Sequence, residues 1–558
     1  MQPEKMKSIA FWLLPVMILI WWRSHTFAPV IYQETGLKLW PVVAGRSEPL
    51  DCDESAYGYM GRRQAKGDVL YKELTEYKPP VGYWFYAIAV AIGGADEMTI
   101  RLMMMPVVLA NCLLVGFILS RLCSNSAAFI GMIFFILLST DPFVFGNGSN
   151  LEHLMNLLMT ISVACYLIYK QNETRPRWLF MAGLFIGLAA MVKQVCLLAL
   201  LPILVDQLHV SRISYKSVKI CTVLISGFAI PILVVVMVLV YQGNVSEARA
   251  DVLEYSRAMA AGTPVDAKAP FFLIRWMTGN SDPRNGRLPW PFGQTDWLVW
   301  WGAGSWPMLL ISPFLIAILL RRRNAIAYGS GLIIVFYWLA CWLMIILPGL
   351  YWQHYYMLLA PGSALIAGVA WFFFHQNNSG PLQIKQRFAN LTGKAGLLIV
   401  LFVLGYIQTR DYLLVPAEQL TAKYKGGAQW ISLRLLSEEI VARTKNFQEK
   451  PGLEVWGWQS PLLFYTGFDA PNRYFFTDPL MKAHFQKGHP LIKPRLAELM
   501  QSIREKRPGI VFCGDIPFDE LNGFLQSDYL PSTLTPATPT GHGLYVRKDL
   551  YAAFHSAR

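Results

Sequence analysis

Charge is what this sequence has least of: only 15% of its 558 residues are Asp, Glu, Lys or Arg, against about 25% in an ordinary soluble domain. So few polar groups cannot keep the surface of a water-soluble chain of this length wet. Cysteine is sparse as well. The eight present sit mostly inside apolar runs, which argues against a disulfide-stapled secreted fold. The sequence has no internal repeat, no low-complexity tract, no Cys/His spacing that suits zinc and no phosphate-binding glycine loop. What it has in excess is hydrophobicity, 54% of residues with 14% aromatic, and that excludes disorder. Lys and Arg outnumber acids 49 to 36, for a net charge of +13. Beside long apolar runs, this excess points to a membrane and not to nucleic acid.

Runs of roughly 20 apolar residues read as membrane spans. Eleven are expected, at about 8–24, 98–120, 126–145, 152–169, 178–192, 194–208, 217–241, 297–320, 327–347, 355–374 and 395–409. Trp21, Trp22 and Arg23 follow the first where a signal peptide would carry small cleavage-site residues, so it reads as an uncleaved anchor. Fifteen Lys and Arg fall in the segments 1–7, 121–125, 170–177, 209–219, 321–323 and 375–394. The positive-inside rule places those segments, and the N-terminus, in the cytoplasm. The connections 25–97, 146–151, 193, 242–296 and 348–354 then face outward, as does the C-terminal part. This parity requires the aromatic stretch from Gly82 to lie in the outer interface without spanning.

From Arg410 the composition turns mixed and polar. A helix is expected at 427–446, strands at Leu453–Trp456 and Gly509–Phe512, and a helix from Pro494 to Lys506 between them. The fold class is therefore a polytopic α-helical membrane protein with a soluble C-terminal α/β domain. Residues 1–409 form the membrane domain, with a first outer loop at 25–97, and 410–558 the extracytoplasmic domain.

Polar residues that anchoring does not explain gather on the outer side. The run Asp51-Cys52-Asp53-Glu54 opens a helix expected from Glu54 to about Lys66. One reading makes Asp53 its N-cap, with Glu54 favouring the helix dipole. The other makes a carboxylate at the membrane surface a general base for an incoming hydroxyl. Glu152 and His153 start an otherwise apolar helix, either as helix-start chemistry or as a second site carboxylate. Lys193 lies between two short spans, as a snorkelling lysine or as a cation for an anionic headgroup. Lys78, His354, Arg275, Arg284 and Arg287 share that side, and Arg101 either joins them or anchors its helix. The aromatic clusters Trp290–Trp306 and Tyr351–Tyr356 suit an interfacial belt. Cys52 and Cys513 lie outside the bilayer, and their pairing is left open.

In their order, Asp53-Glu54, Gly67-Asp68, Lys78-Pro79-Pro80, Tyr83-Trp84, Arg101-Leu102, Glu152, Gly187-Leu188 with Lys193, and His354-Tyr355-Tyr356 before Ala360-Pro361 form a pattern. It resembles GT-C glycosyltransferases, in particular the protein O-mannosyltransferases and the lipid A aminoarabinose transferases, over roughly residues 8–410. The departures are Gln194, where relatives often carry Gly, and Glu152, where the aminoarabinose transferases carry Asp. The resemblance implies transfer of a sugar, with inversion, from a polyprenyl phosphate to a lipid, polysaccharide or protein acceptor on the outer face of an inner membrane. It implies Asp53 as base, Glu54 as its support and Glu152 as an orienting carboxylate. Lys78 and Lys193 would hold the donor phosphate, with Arg101 and His354 as further candidates. It implies no cofactor beyond the lipid-linked donor and no strong need for a metal. The alternative reading is a transporter or flippase of lipid-linked substrates, for which paired broken helices in two related halves would be the signature.

Overall fold

The computed structural model describes residues 3–171, 175–211, 215–256, 306–321, 328–348, 352–375, 384–477, 480, 492–535 and 542–556. Arg275, Arg284, Arg287, most of the Trp290–Trp306 cluster and the first part of the expected span 297–320 lie outside them. Among the described residues, six helices are long and apolar enough to cross a membrane: Phe11–Thr35, Glu97–Leu122, Glu152–Gln171, Ser217–Gln242, Gln353–His375 and Arg387–Leu413. The shorter apolar helices are Val81–Gly93, Asn125–Ser139, Arg177–Ala190, Gln194–Gln207, Ile311–Leu320 and Gly331–Ile346. Each of the eleven expected stretches overlaps one of these twelve, six of which are long enough to cross a membrane. The remaining one, Val81–Gly93, is the stretch that parity keeps from spanning. At 13 residues it is about 20 Å long, and like the other shorter helices it falls below the roughly 30 Å of hydrocarbon.

The chain folds into two compact units. The first comprises Met1–Glu48, Arg101–Val235 and Val265–Leu420. Its helices sort by what they face. Gln353–His375 is 89% buried and Glu152–Gln171 83%, so these form the centre, whereas Arg387–Leu413 is 22% buried and turns most of its surface outward. Leu398, Ile399 and Phe402 are exposed there, as expected when lipid is the solvent. Without a hydrophobic drive between helices in lipid, close packing relies on small residues. A Cβ on Gly183 would lie 2.0 Å from the Leu224 carbonyl oxygen, and one on Gly227 2.1 Å from that of Phe180. Helices Arg177–Ala190 and Tyr215–Gln242 therefore touch backbone to backbone.

The second unit comprises Pro49–Ile100, Val236–Pro264 and Thr421–Arg558. The expected division at 409/410 thus differs from the observed one, because most of the first outer loop packs with the C-terminal part. Helix Cys52–Ala65 lies against Val81–Gly93 and Ser460–Thr466. The Arg62 guanidinium donates to the carbonyls of Leu463, Phe464 and Phe468, satisfying carbonyls that a helix end leaves open.

The sheet holds β1 (Leu453–Trp456), β2 (Ile510–Cys513), β3 (Tyr529–Pro531) and β4 (Gly543–Arg547) in the order β1-β2-β4-β3. β1 and β2 are parallel, with Leu453 opposite Ile510 and Trp456 opposite Cys513. A parallel pair needs a crossover, and helix Ile492–Lys506 lies within it, close to the expected bounds. β2 begins one residue later than expected, and β3 and β4 were not foreseen. Cys52 and Cys513 are both free thiols, so the pairing left open by the sequence is not made.

Glu454 on β1 is buried and accepts from Asn472 Nδ2 at 2.7 Å. Burial pushes its carboxyl up to about 8 from 4.5, with the Asn472 hydrogen bond opposing. The folded unit therefore holds a proton that the unfolded chain releases near 4.5. Stability is full below that pH, falls by about 1.4 kcal/mol per unit as pH rises, and levels off above about 8. Glu454→Gln should flatten this slope. Thermal unfolding of the intact chain between pH 5 and 9 tests it, and an unchanged slope in the variant would remove Glu454 as its source.

Candidate active site

Each unit carries one group of the residues singled out above. In the second unit, helix Cys52–Ala65 begins with a capping box. Asp51 is the N-cap, its Oδ1 accepting from the backbone N–H of Asp53 and of Glu54 at 2.9 Å each. Glu54 Oε2 in turn accepts from the Asp51 N–H at 3.3 Å. Capping therefore belongs to Asp51 and Glu54, correcting the expectation that Asp53 caps a helix starting at Glu54. The physical reason is spacing: Asp51-x-x-Glu54 is the capping-box interval, and Asp53 falls at the second helical position. Asp51 and Glu54 are buried, whereas Asp53 is half-buried. Lys425 Nζ, also buried, stands 3.8 Å from Glu54 Oε2. Burial and then the neighbouring Glu54 charge push the Asp51 carboxyl up to about 7, with Lys425 opposing. Ser460 Oγ donates to the Cys52 carbonyl at 2.7 Å and meets Ser55 Oγ at 2.9 Å, fixing this turn from helix Ser460–Thr466.

Lys78 belongs to the same unit. Its ammonium lies 3.5 Å from Glu76 Oε1, 4.5 Å from the centre of the Tyr77 ring and 5.4 Å from that of Tyr57.

In the first unit, three breaks in helical structure bring Glu152, Lys193 and His354 together. Glu152 is the first residue of helix Glu152–Gln171, and Lys193 is an extended residue before the 3-10 turn Gln194–Ala199. His354 lies in the 3-10 turn Gln353–Leu359, which Asn156 Nδ2 fixes by donating to the Met357 carbonyl at 2.9 Å. Lys193 Nζ donates to Glu152 Oε1 at 3.0 Å, and His354 Nε2 is 3.9 Å from the same oxygen. The lysine also sits over the Tyr355 ring, 3.7 Å from its centre. Glu152, Lys193, His354 and Tyr355 are all buried.

Arg101 pairs with Glu48. Its Nη1 lies 2.6 Å from Glu48 Oε2, both side chains are almost fully buried, and Asn147 Nδ2 donates to the same oxygen. Arg23 donates to the carbonyls of Gly146 and Gly148 and shapes the turn before Glu152. Sequence reasoning did not single out Asp51, Lys425, Glu48, Arg23 or Tyr355 for these tasks. Of these, only Asp51 carried a readable signal, its three-residue interval to Glu54. Among the described residues, no group of three or more His, Cys, Asp or Glu is arranged to hold a metal ion.

Residues 77–241 match the family model described as dolichyl-phosphate-mannose-protein mannosyltransferase. No curated protein matches the chain by sequence. Among solved structures, the chain is similar to ArnT from Cupriavidus metallidurans bound to undecaprenyl phosphate. Identity is 14%, coverage 97% of this chain and 98% of that one, and the TM-score 0.54; the apo state of ArnT gives the same values. The apo oligosaccharyltransferase of Archaeoglobus fulgidus is matched at 10% identity over 90% of this chain and 69% of that one, with a TM-score of 0.49. The spans and the fold shared with ArnT define a multi-pass membrane protein with the GT-C architecture. Within it, residues 77–241 carry the similarity to the dolichyl-phosphate-mannose-protein mannosyltransferase family model, and the fold as a whole is similar to that of ArnT.

Proposed function

We propose that this protein is a membrane glycosyltransferase that moves a hexosyl or pentosyl group from a polyprenyl-phosphate donor to an acceptor on the outer face of an inner membrane. The Asp53 carboxylate takes the proton of the acceptor hydroxyl. The hydroxyl oxygen bonds to the anomeric carbon from the side opposite the phosphate. The carbon–oxygen bond to phosphate breaks with inversion, and polyprenyl phosphate leaves with the electron pair. Glu54 fixes the turn that carries Asp53, and Glu152 orients acceptor or sugar. Lys78 and Lys193 meet the developing phosphate charge, with His354 beside Lys193. Arg101, engaged with Glu48, remains a further candidate for the donor phosphate. The donor is already phosphate-activated, so the reading needs neither ATP nor a resident cofactor. Acceptors of the lipid, polysaccharide and protein classes all fit it.

The observation that carries this reading is the start of helix Cys52–Ala65. Asp51 and Glu54 do the capping there, and the Asp53 carboxylate between them is half-buried instead of enclosed. The GT-C fold supports it. Mass spectrometry of envelope glycolipids and glycoproteins, with and without the chain, should reveal one sugar addition that requires it. Identical glycan profiles, with altered distribution of a lipid-linked sugar across the membrane, would favour a flippase instead.

A further inference from the structure

The loop Leu70–Lys78 is held in an unusual way. Tyr71 has φ +69°, a left-handed conformation that crowds any residue with a Cβ, and it is fully buried. Such strain persists only where surroundings over-determine it, and here they do. The Tyr71 N–H donates to the Leu74 carbonyl at 2.7 Å. The Tyr71 carbonyl accepts from Arg473 Nη1 at 3.1 Å. The Arg473 carbonyl accepts from the Thr75 N–H at 3.0 Å, so one C-terminal residue grips the loop at two points. The segment after Val236 grips it at two more: Asn244 Nδ2 donates to the Leu70 carbonyl at 2.7 Å and Ser256 Oγ to the Tyr77 carbonyl at 2.9 Å. The phenol of Tyr71, turned inward by this backbone, donates to the carbonyl of Lys78 at 2.8 Å.

We infer that Tyr71 and Arg473 are positioning residues for Lys78. Arg473 locks the left-handed turn, Tyr71 carries that restraint to the Lys78 backbone, and the ammonium is presented in one place to a polyprenyl phosphate headgroup. The inference rests on the reading of Lys78 as a donor-phosphate contact, and it gives the C-terminal part of the chain a role in donor binding. Every contact in the series lies within the second compact unit.

The test measures the dissociation constant of undecaprenyl phosphate for the full chain in lipid nanodiscs. Tyr71→Phe keeps the ring and the backbone and deletes only the donor to Lys78. It should weaken binding about five- to tenfold, the size of one lost hydrogen bond. Arg473→Met should do the same, and Lys78→Ala should weaken binding more than either. A purely structural role would lower the yield of folded protein but leave the constant of the monodisperse fraction unchanged, and that result for Tyr71→Phe overturns the inference. If Lys78→Ala weakens binding while Tyr71→Phe does not, only the positioning role falls. If Lys78→Ala itself has no effect, the donor-phosphate reading of Lys78 falls with it.

Discussion

Asp53→Asn should lower the transfer rate by about 10²–10⁴-fold, the range for removing a positioned general base, and leave the fold in place. The substitution is nearly isosteric, and the helix start does not depend on it: the side chains that close the capping box are Asp51 and Glu54. Thermal stability and undecaprenyl phosphate binding should therefore stay close to wild type while product formation collapses. Asp51→Asn is the informative contrast. It touches the N-cap and the carboxyl that is pushed up to about 7, so it should change stability first and rate second. Near-normal transfer by Asp53→Asn would sink the assigned base, and an equal collapse of folding would reassign Asp53 to structure.

The second large effect concerns Glu152 and Lys193. Their side chains are 4% and 11% exposed and 3.0 Å apart, so removing one partner strands a buried charge. Lys193→Met alone should cost about 3–5 kcal/mol of stability, seen as a sharp drop in the melting temperature of the purified protein. Glu152→Gln alone takes the buried carboxylate away from the lysine and should also destabilise. The double variant Glu152→Gln/Lys193→Met removes both members of the pair and should recover most of that loss, since replacing a whole buried pair by apolar or neutral groups is often close to neutral. Activity separates structure from chemistry. A double variant that folds well and still fails to transfer sugar assigns the pair to the site. A double variant that folds and transfers normally reduces it to a packing device.

The membrane part was largely legible in the sequence because its signal is local. An apolar run of sufficient length declares a span without reference to any other part of the chain, and charge parity across the connections set the Gly82 stretch apart. Glu152, Lys193 and His354 were each visible as ionisable residues in apolar surroundings. Their meeting was not, because three helix breaks separated by 41 residues and more in sequence bring it about. At the acidic turn the capping residue was misplaced by two positions. Lys425 and Arg473 gave no sign at all, since each is an ordinary cation in a polar stretch until packing places it against Glu54 or Tyr71. Strand β3, of three residues, was too short for an alternation pattern to register.

The second unit also fixes the order in which the protein can be completed. Arg62 emerges from the ribosome 401 residues ahead of the Leu463 carbonyl that it binds. At 5–20 residues per second that interval is roughly 20–80 s. Helix Cys52–Ala65 must wait through the synthesis of nearly the whole membrane region before Lys425, Ser460 and the partners of Arg62 exist. The acidic turn bearing Asp53 is thus encoded near the beginning of the chain and finished near its end. Maturation of this turn reports that translation has passed Ser460 and the Phe468 carbonyl.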